Sequence, residues 1–392
     1  MSFRDDYGTK ITELVLSEYE KLSAKGRPVT RSNGAKEGTI VAAVIASDTR
    51  TDKHSILTIT TGVKSTPNDE LARSKGKILH DCHAEILALR GFNRLLLEHI
   101  KRSMEGIESN LIHNTPNGFE WNNELELTLF ISKLPCGELS MSLLEEMKCE
   151  DENSMTFEED DNQQYITPEI KTILRGRCNF NKRNYVRTKP GRIDSKATYS
   201  KSCSDKLYIR HKTSVLNSLT SYMMPTPLYI SNYVIPNINS HQIEEMKLYF
   251  DRPMDLHSSV RRLYIHTSHY KFGDDLSPET TPSSMSALKI LFNDNDIQEE
   301  QILNGVKNGY YTKASKPLRK NCESKVSRYS LWSLFITMHR EFKDLTYLEF
   351  KRRYCAERAE LIRSIKSSLS SDGCYQLRKM IANYPNRINQ SK

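Results

Sequence analysis

Three short segments of the chain carry side chains that can hold a metal and move protons. They are His80-Asp81-Cys82-His83-Ala84-Glu85, Leu134-Pro135-Cys136-Gly137-Glu138 and Ser202-Cys203-Ser204-Asp205-Lys206. From them His83 can supply an imidazole, Cys136 and Cys203 two thiols, and Glu85 a carboxylate two residues beyond the imidazole. Three protein ligands with a fourth position left for water describe a catalytic zinc, because structural zinc sites close all four positions. On a regular helix, residues two apart point away from each other. His83 and Glu85 can therefore meet one metal-bound water only at a helix's first turn, and the helix formers that follow Ala84 supply that turn. Cys136 precedes a helical run over residues 138–147, whose N-terminal dipole would favour the thiolate that zinc requires.

His-x-Glu followed by Pro-Cys is the signature of zinc nucleobase deaminases, in which the metal activates water and the glutamate shuttles protons. The companion cysteine usual three residues after the first is replaced here by Leu139, so a Pro-Cys-x-x-Cys site cannot form. Cys203, much further along the chain, is the substitute, and His83, Cys136 and Cys203 become the candidate ligands with Glu85 as the proton carrier. The remaining cysteines, Cys82, Cys149, Cys178, Cys322, Cys355 and Cys374, read as small buried hydrophobes.

The elements that must position these groups are legible as patterns. Residues 11–22 place Ile11, Leu14, Val15, Tyr19 and Leu22 at helical spacing, and Gly26 and Pro28 stop them. Residues 39–46 and 55–61 are β-branched runs around a polar stretch and read as paired strands. Residues 125–131 form a third strand, residues 84–101 a helix between them, and residues 228–235 a further strand. From about Ser286 onward the pattern is mostly helical, with helices expected over residues 331–342 and 346–367. The order points to a layered α/β domain. Residues 150–163, rich in Asp and Glu, cannot bury apolar area and read as an acidic loop insertion in a single domain spanning residues 1–392.

Composition sets the outer limits. The chain has 392 residues, 37% hydrophobic and 27% charged, which is enough apolar material for a core and excludes general disorder. Its longest apolar run, residues 40–46, is far short of the roughly 20 residues that span a bilayer. The acidic start Arg4-Asp5-Asp6 lacks the apolar stretch of a secretory signal, and an intracellular site, cytoplasmic or nuclear, is expected. The net charge of +8 gathers late, at Lys316, Arg319, Lys320, Lys325 and Arg328 and again at Lys351-Arg352-Arg353, which makes polyanions plausible partners.

Over most of its length the sequence resembles the adenosine deaminases that act on RNA, whose catalytic domain carries Asp-Cys-His-Ala-Glu, Pro-Cys-Gly and Ser-Cys-Ser-Asp-Lys in this order. It is most similar to their tRNA-specific branch, which converts the adenosine just 3′ of the anticodon of alanine tRNA to inosine. No double-stranded-RNA-binding domain is expected ahead of the catalytic domain, and the segment from Arg187 through Thr188, Lys189, Pro190 and Gly191 to Arg192 resembles that branch's loop before the last zinc cysteine. The resemblance implies a cytidine-deaminase-like zinc deaminase core, a mixed α/β sheet flanked by helices, with a large helical C-terminal half. It implies one catalytic zinc on His83, Cys136 and Cys203, with Glu85 carrying protons.

The resemblance also implies a second cofactor, inositol hexakisphosphate, buried in the helical half and caged at positions matching Arg90, Lys206, Arg328, Tyr347 and Lys351, with Asp81 linking it through Lys206 to the zinc. Where the family has a Tyr and a Lys after Lys351, this chain has Glu357 and Leu361, and the Trp expected after the Lys206 segment has no counterpart. Lys64, in Thr61-Gly62-Val63-Lys64, matches a contact to a substrate phosphate, although Val63 replaces a Thr. The expected substrate is an alanine tRNA anticodon stem-loop, with no membrane and no obligate protein partner. Two other readings remain at this point: deamination of mRNA or other structured RNA, and a catalytically silent RNA-binding relative. Retention of Glu85, which is not a ligand, favours an enzyme.

Overall fold

Every second side chain of a strand faces the same way, and in the run at residues 40–46 both sets are apolar. Ala42, Val44 and Ala46 join one buried cluster while Val41, Ala43 and Ile45 join another, so the strand must be covered on both faces. The computed structural model describes residues 3–71, 73–146, 156–158, 160–183, 185–189, 195–252, 262–293 and 295–369. The elements that carry the site are, in chain order, α1 (Phe3–Glu20), β1 (Val41–Asp48), β2 (His54–Thr61), β3 (Val63–Ser65), β4 (Asp81–His83), α2 (Ala84–Met104), β5 (Leu125–Ile131) and β6 (Val186–Thr188). There follow α3 (Cys203–Thr213), β7 (Asn232–Val234), α4 (Ser240–Asp251), β8 (Tyr264–His266), β9 (Met285–Asn293), β10 (Asp296–Leu303), β11 (Val306–Lys307), α5 (Arg328–Met338), α6 (Tyr347–Tyr354) and α7 (Ala356–Leu369).

The main sheet has eight strands in the order β8-β7-β5-β1-β2-β9-β10-β11. β5, β7 and β8 are mutually parallel; the other neighbours are antiparallel. On one face α2 lays Leu87, Phe92, Leu95, Leu96 and Ile100 against Val44, Leu57, Leu127 and Leu129. On the other, α1 lays Ile11, Val15 and Tyr19 against Ile45, Ile59 and Phe130. The expected α/β layering with a mixed sheet flanked by helices is therefore observed.

Registers bring one set of strand ends together. Val41 at the start of β1 lies opposite Thr61 at the end of β2, Ala42 lies opposite Ile131 at the end of β5, and Phe130 and His266 both pair with the β7 level of Val234. Chain leaving β2, β5, β7 and β8 thus emerges along a single edge. Gly62 makes the exit from β2 possible: its φ is +149°, and a Cβ there would lie 2.1 Å from the Cys82 carbonyl oxygen. Its N–H donates to Ile40 O, and its carbonyl accepts from Ala84 N, fixing the start of α2 to the edge of the sheet.

Two expectations are corrected. The region from Ser286 is not helical at first: Met285–Asn293 and Asp296–Leu303 form a hairpin that extends the sheet, and helices begin at Arg328. Ser286, Leu288 and Ile290 alternate with Ala287, Lys289 and Leu291, a strand period hidden by the buried Lys289, whose Nζ donates to Glu18 Oε1 of α1 at 2.5 Å. The helix expected over residues 346–367 is broken at Cys355 into α6 and α7. Half of the acidic stretch at residues 150–163 lies outside the described residues, as do Cys149, Cys374 and Pro190 to Arg192. Asp161 is described, and caps the short turn Asn162–Gln164.

Gly62→Ala should destabilise the fold by about 2–4 kcal/mol, combining backbone strain with a forced clash. The urea midpoint measures this, and a midpoint equal to that of the parent protein would contradict the close approach.

Candidate active site

His83 ends β4 and stands at the N-cap of α2, so Ala84 and Glu85 are its first helical residues. This is the geometry that the two-residue spacing required. Cys136 lies in the loop leaving β5, and Gly137, with φ +103°, lets that loop approach Ser202 so closely that a Cβ would lie 2.3 Å from its Oγ. Ser202 is the N-cap of α3: its Oγ accepts from Asp205 N and donates to Asp205 Oδ2 at 2.6 Å. Cys203 is then the first residue of α3 and is fully buried. The helical run expected after Cys136 is one 3₁₀ turn, Glu138–Ser140, followed by Met141–Glu146, so Cys203, not Cys136, sits in the first turn of a full helix.

The ligand atoms of His83, Cys136 and Cys203 all lie within 4.8 Å of one another. Cys136 Sγ is 3.7 Å from His83 Nδ1, and Cys203 N–H donates to Cys136 Sγ at 3.4 Å. The thiols share a proton: a hydrogen bond from Cys203 holds Cys136 well below the ordinary thiol range, while burial and the Cys136 sulfur push Cys203 well above it. Two sulfurs and an imidazole converging at this range form the donor set of a tetrahedral zinc with one position open, so the residues fit that ion. Glu85 is only 3% exposed, and its charge acts on Lys189 and on the Cys203 thiol.

One central residue lies in the Arg187–Arg192 segment, where nothing local marks it as part of the site. Lys189, directly after β6 and 3% exposed, donates to Asp81 Oδ1 and Oδ2 at 2.7 and 2.8 Å and to Cys203 Sγ at 2.9 Å. Burial alone would discharge this amine, but Asp81 and the two cysteines raise its pKa. Asp81 also accepts from Lys206, whose Nζ bonds Ser200 Oγ at 2.6 Å. Against the penalty of burial, Lys189 and Lys206 hold the Asp81 carboxyl well below its usual range.

Lys206 opens onto a cavity of about 480 Å³. Every residue expected to form the polyphosphate cage lines it: Asp81, Arg90, Lys206, Arg328, Tyr347 and Lys351. Lys201, Arg210 and Arg358 line it too, and none of these three was foreseen. The positions expected from the resemblance, Glu357 and Leu361, each fall one residue short: Arg358 and Ile362, seven and eleven residues beyond Lys351, share the wall with Tyr347 and Lys351 at helical spacing. Burial and Arg328 lower Arg90 to about 10, and burial and Arg358 lower Arg210 to about 9. Burial would raise Tyr347, yet Lys351 and Arg328 hold it below its ordinary value. Among the described residues, Asp81 is the only carboxylate on the wall. Buried cations this crowded lack compensation without an anion, and the residues fit a compact polyanion.

Lys64 is exposed on β3, opposite Cys82, with Val63 opposite His83. The expected packing aromatics do pack: Trp332 lies 5.4 Å from Phe350 and 6.0 Å from Tyr347 between ring centroids. Cys82, Cys178, Cys322 and Cys355 are buried, and burial raises all four thiols, Cys82 to about 12.

A helix-covered mixed sheet with an imidazole, two sulfurs and a glutamate gathered at one edge defines a nucleobase deaminase. Comparison with known proteins specifies which kind. The adenosine-deaminase (editase) domain pattern matches residues 58–371. The chain belongs to this family, and the protein is an adenosine deaminase. It is similar to the tRNA-specific adenosine deaminase 1 of Saccharomyces cerevisiae, 45% identical over 381 residues that cover 95% of this chain and 94% of the yeast protein. The protein of that name from Schizosaccharomyces pombe is 39% identical over 233 residues, 58% of this chain and 57% of its own. The double-stranded RNA-specific adenosine deaminase of Rattus norvegicus is 31% identical over 102 residues, 25% of this chain and 9% of its own.

Lys189→Met strands Asp81 and removes the donor to Cys203. It should cost about 3–5 kcal/mol, the range for breaking a buried pair. In urea unfolding, the double variant with Asp81→Leu should cost clearly less than the two single changes added together, and strict additivity would show that the pair is not coupled.

Proposed function

We infer that the protein hydrolytically deaminates adenosine to inosine in tRNA, at the adenosine immediately 3′ of the anticodon of alanine tRNA. The carrying observation is the convergence of His83, Cys136 and Cys203 beside a buried Glu85 whose charge reaches the Cys203 thiol. Similarity to a tRNA-specific enzyme along nearly the whole chain, against only a quarter of it for the double-stranded RNA enzyme, favours tRNA over mRNA. The position in alanine tRNA rests on the motif resemblance. No helix among the described residues is long and apolar enough to cross a membrane, in keeping with a substrate inside the cell.

On this reading His83, Cys136 and Cys203 hold zinc, which when bound lowers the pKa of a coordinated water to about 7. Water adds at C6 of the adenine, the C6–N bond breaks, and ammonia leaves. Glu85 takes a proton from the water, passes it to ring N1 and then assists the departing amine. Its place in the first turn of α2 sets its carboxylate beside the ligands without competing with them. Lys189 is a positioning residue: bonded to both Asp81 and Cys203, it fixes the sulfur and lends positive charge to a site that concentrates two thiolates. Lys64, on the strand opposite Cys82, is placed to hold a phosphate of the flipped strand. An anticodon loop makes unstacking of the target base cheaper than a duplex would.

Inositol hexakisphosphate is proposed for the cation-lined cavity, with Arg90, Arg210, Arg328, Arg358, Lys206 and Lys351 supplying charge and Tyr347 a hydroxyl. Guanidinium groups suit phosphate oxygens because their planar fork makes paired bonds.

Purified wild-type protein should convert alanine tRNA at the single expected adenosine and leave a matched duplex RNA unchanged, read by mass spectrometry. Conversion of the duplex alone would move the protein to the mRNA-editing branch. Glu85→Ala should abolish conversion while keeping one zinc per chain by elemental analysis, whereas Cys203→Ser should lose the metal. Glu85→Ala activity at the parental rate would exclude the proton-carrier role.

Protein denatured after purification should release one inositol polyphosphate, detected as phosphorus beyond that of bound nucleic acid. Arg210→Glu with Arg358→Glu should abolish that release and lower the melting temperature, by about 1 °C for each kcal/mol of lost ligand stabilisation in a chain of this size. Retention of the polyphosphate by this double variant would refute the assignment.

A further inference from the structure

A second cavity, of about 340 Å³, lies outside both sites described above. Its walls are the segments that follow the three parallel strands: Ser132 to Leu134 after β5, Pro236 to Ile238 after β7, and Lys271 and Phe272 after β8, with Asp275 closing it. In α/β sheets, ligands bind in the crevice outside the carboxyl ends of parallel strands. This cavity occupies that crevice, and its Leu134 is two residues before Cys136. It is also tied to the start of β1, since Val41 N–H donates to Ser132 Oγ and Asp274 O accepts from Thr39 N. Along the edge, the cavity and the His83–Cys136–Cys203 cluster are therefore neighbours that share the β5 exit.

The polar groups indicate the occupant. Lys133 Nζ donates to Asp275 Oδ2 at 3.2 Å, but Asp275 Oδ1 is buried with no hydrogen-bond partner. An orphaned carboxylate oxygen is costly, and a ligand N–H or O–H would satisfy it. Gln242 of α4 is buried; its Oε1 accepts from Asn239 N, while its Nε2 donates to no described residue. Lys271 is exposed and pairs with no carboxylate among the described residues. An amino-bearing base edge would suit Asp275, as Asp and Glu accept from the cytosine amino group in nucleic-acid readout. A base carbonyl would suit Gln242, and a flanking phosphate would suit Lys271. The volume, at the lower end of the range of about 300–1,000 Å³ for ligand pockets, takes one nucleotide and not a strand.

We propose that this cavity receives the unstacked nucleotide adjacent to the target adenosine, reading its base through Asp275 and Gln242 and its phosphate through Lys271. The assignment rests on the reading of the protein as a deaminase of RNA, and the test separates the two. Wild-type protein is first assayed on alanine tRNA; absence of conversion there would undermine the functional reading itself. With an active wild type, single-turnover rates are compared for tRNAs carrying cytidine or uridine at each position flanking the target. At one of these positions the wild type should prefer cytidine by roughly tenfold, and Asp275→Asn, which keeps the shape, should reduce that preference below about twofold. tRNA affinity by fluorescence anisotropy should fall for Lys271→Ala and its dependence on log salt should lose about one unit of slope. Lys53→Ala, an exposed lysine in the β1–β2 turn at the opposite edge, serves as the control and should bind as the parent does. A flanking preference unchanged in Asp275→Asn, or a Lys271→Ala variant that matches the Lys53→Ala control in both affinity and salt slope, would overturn the proposal.

Discussion

Everything in the catalytic half of this molecule hangs on the buried carboxylate of Asp81. It accepts from Lys189 on one side and Lys206 on the other, both amines being largely withdrawn from water. The two lysines respond in opposite directions: Lys189 is held charged, whereas burial lowers Lys206 despite Asp81. The difference follows from what lies behind each. Lys189 has sulfur at its back, with Cys203 2.9 Å away, so Asp81 and both sulfurs favour its cation. Lys206 faces the cavity, and burial, with Lys189 beside it, outweighs the support it draws from Asp81 and Cys203. An anion in the cavity, as proposed, would favour the Lys206 cation, and Asp81 and Lys189 connect that amine to the Cys203 thiol.

Such a cavity would be untenable as a permanent void. Arg90 and Arg210 are each depressed by burial and then by another arginine, the reverse of what paired cations show. The chain nevertheless spends sequence on assembling them from α2, α3, α5, α6 and α7, five helices distant along the chain. Backbone carbonyls hold some in place without neutralising them: Arg90 Nε donates to Val326 O at 2.9 Å, and Arg210 Nη1 donates to Val215 O and Leu216 O at 2.9 and 2.7 Å. A fold that orients unpaired guanidinium groups by their neutral edges leaves their remaining donors for a multivalent anion. A polyphosphate seated there, as proposed, would close the helical wall by charge as much as apolar packing does.

The parts of the site that could be read from sequence were those encoded within a few residues. His83 and Glu85 declare a helix start, Cys136 follows its proline, and Ser202 to Lys206 contains both an N-cap and a ligand, so local rules sufficed. Lys189 was invisible because its partners, Asp81 and Cys203, lie far away on other elements, and a lone lysine after a short strand carries no signature. Arg358 was missed for a different reason: the resemblance points to Glu357 and Leu361, one residue short of the wall positions Arg358 and Ile362. The hairpin of β9 and β10 was taken for helix because Lys289 interrupts its apolar face, and its partner Glu18 sits on α1 at the other end of the chain. The layered core, by contrast, was carried by strongly periodic segments such as residues 11–22 and 40–46.

Strand order explains why two pockets can serve one reaction. In a purely antiparallel sheet, successive connections would alternate between edges, and β5, β7 and β8 could not all deliver their following loops to the same side. Because these three are parallel, each must be separated by a crossover, and their C-terminal ends accumulate beside the ends of β2 and the start of β1. β5 lies at the junction: its antiparallel neighbour β1 leads toward β2, β3 and the zinc-ligand candidate His83, while its parallel neighbours lead toward Asn237 and Lys271. The loop after β5 therefore faces both ways, placing Lys133 and Leu134 on the second cavity and Cys136 on the ligand cluster. Chemistry at one base and recognition of the next are brought within one loop's reach by topology, without any side chain having to span the sheet.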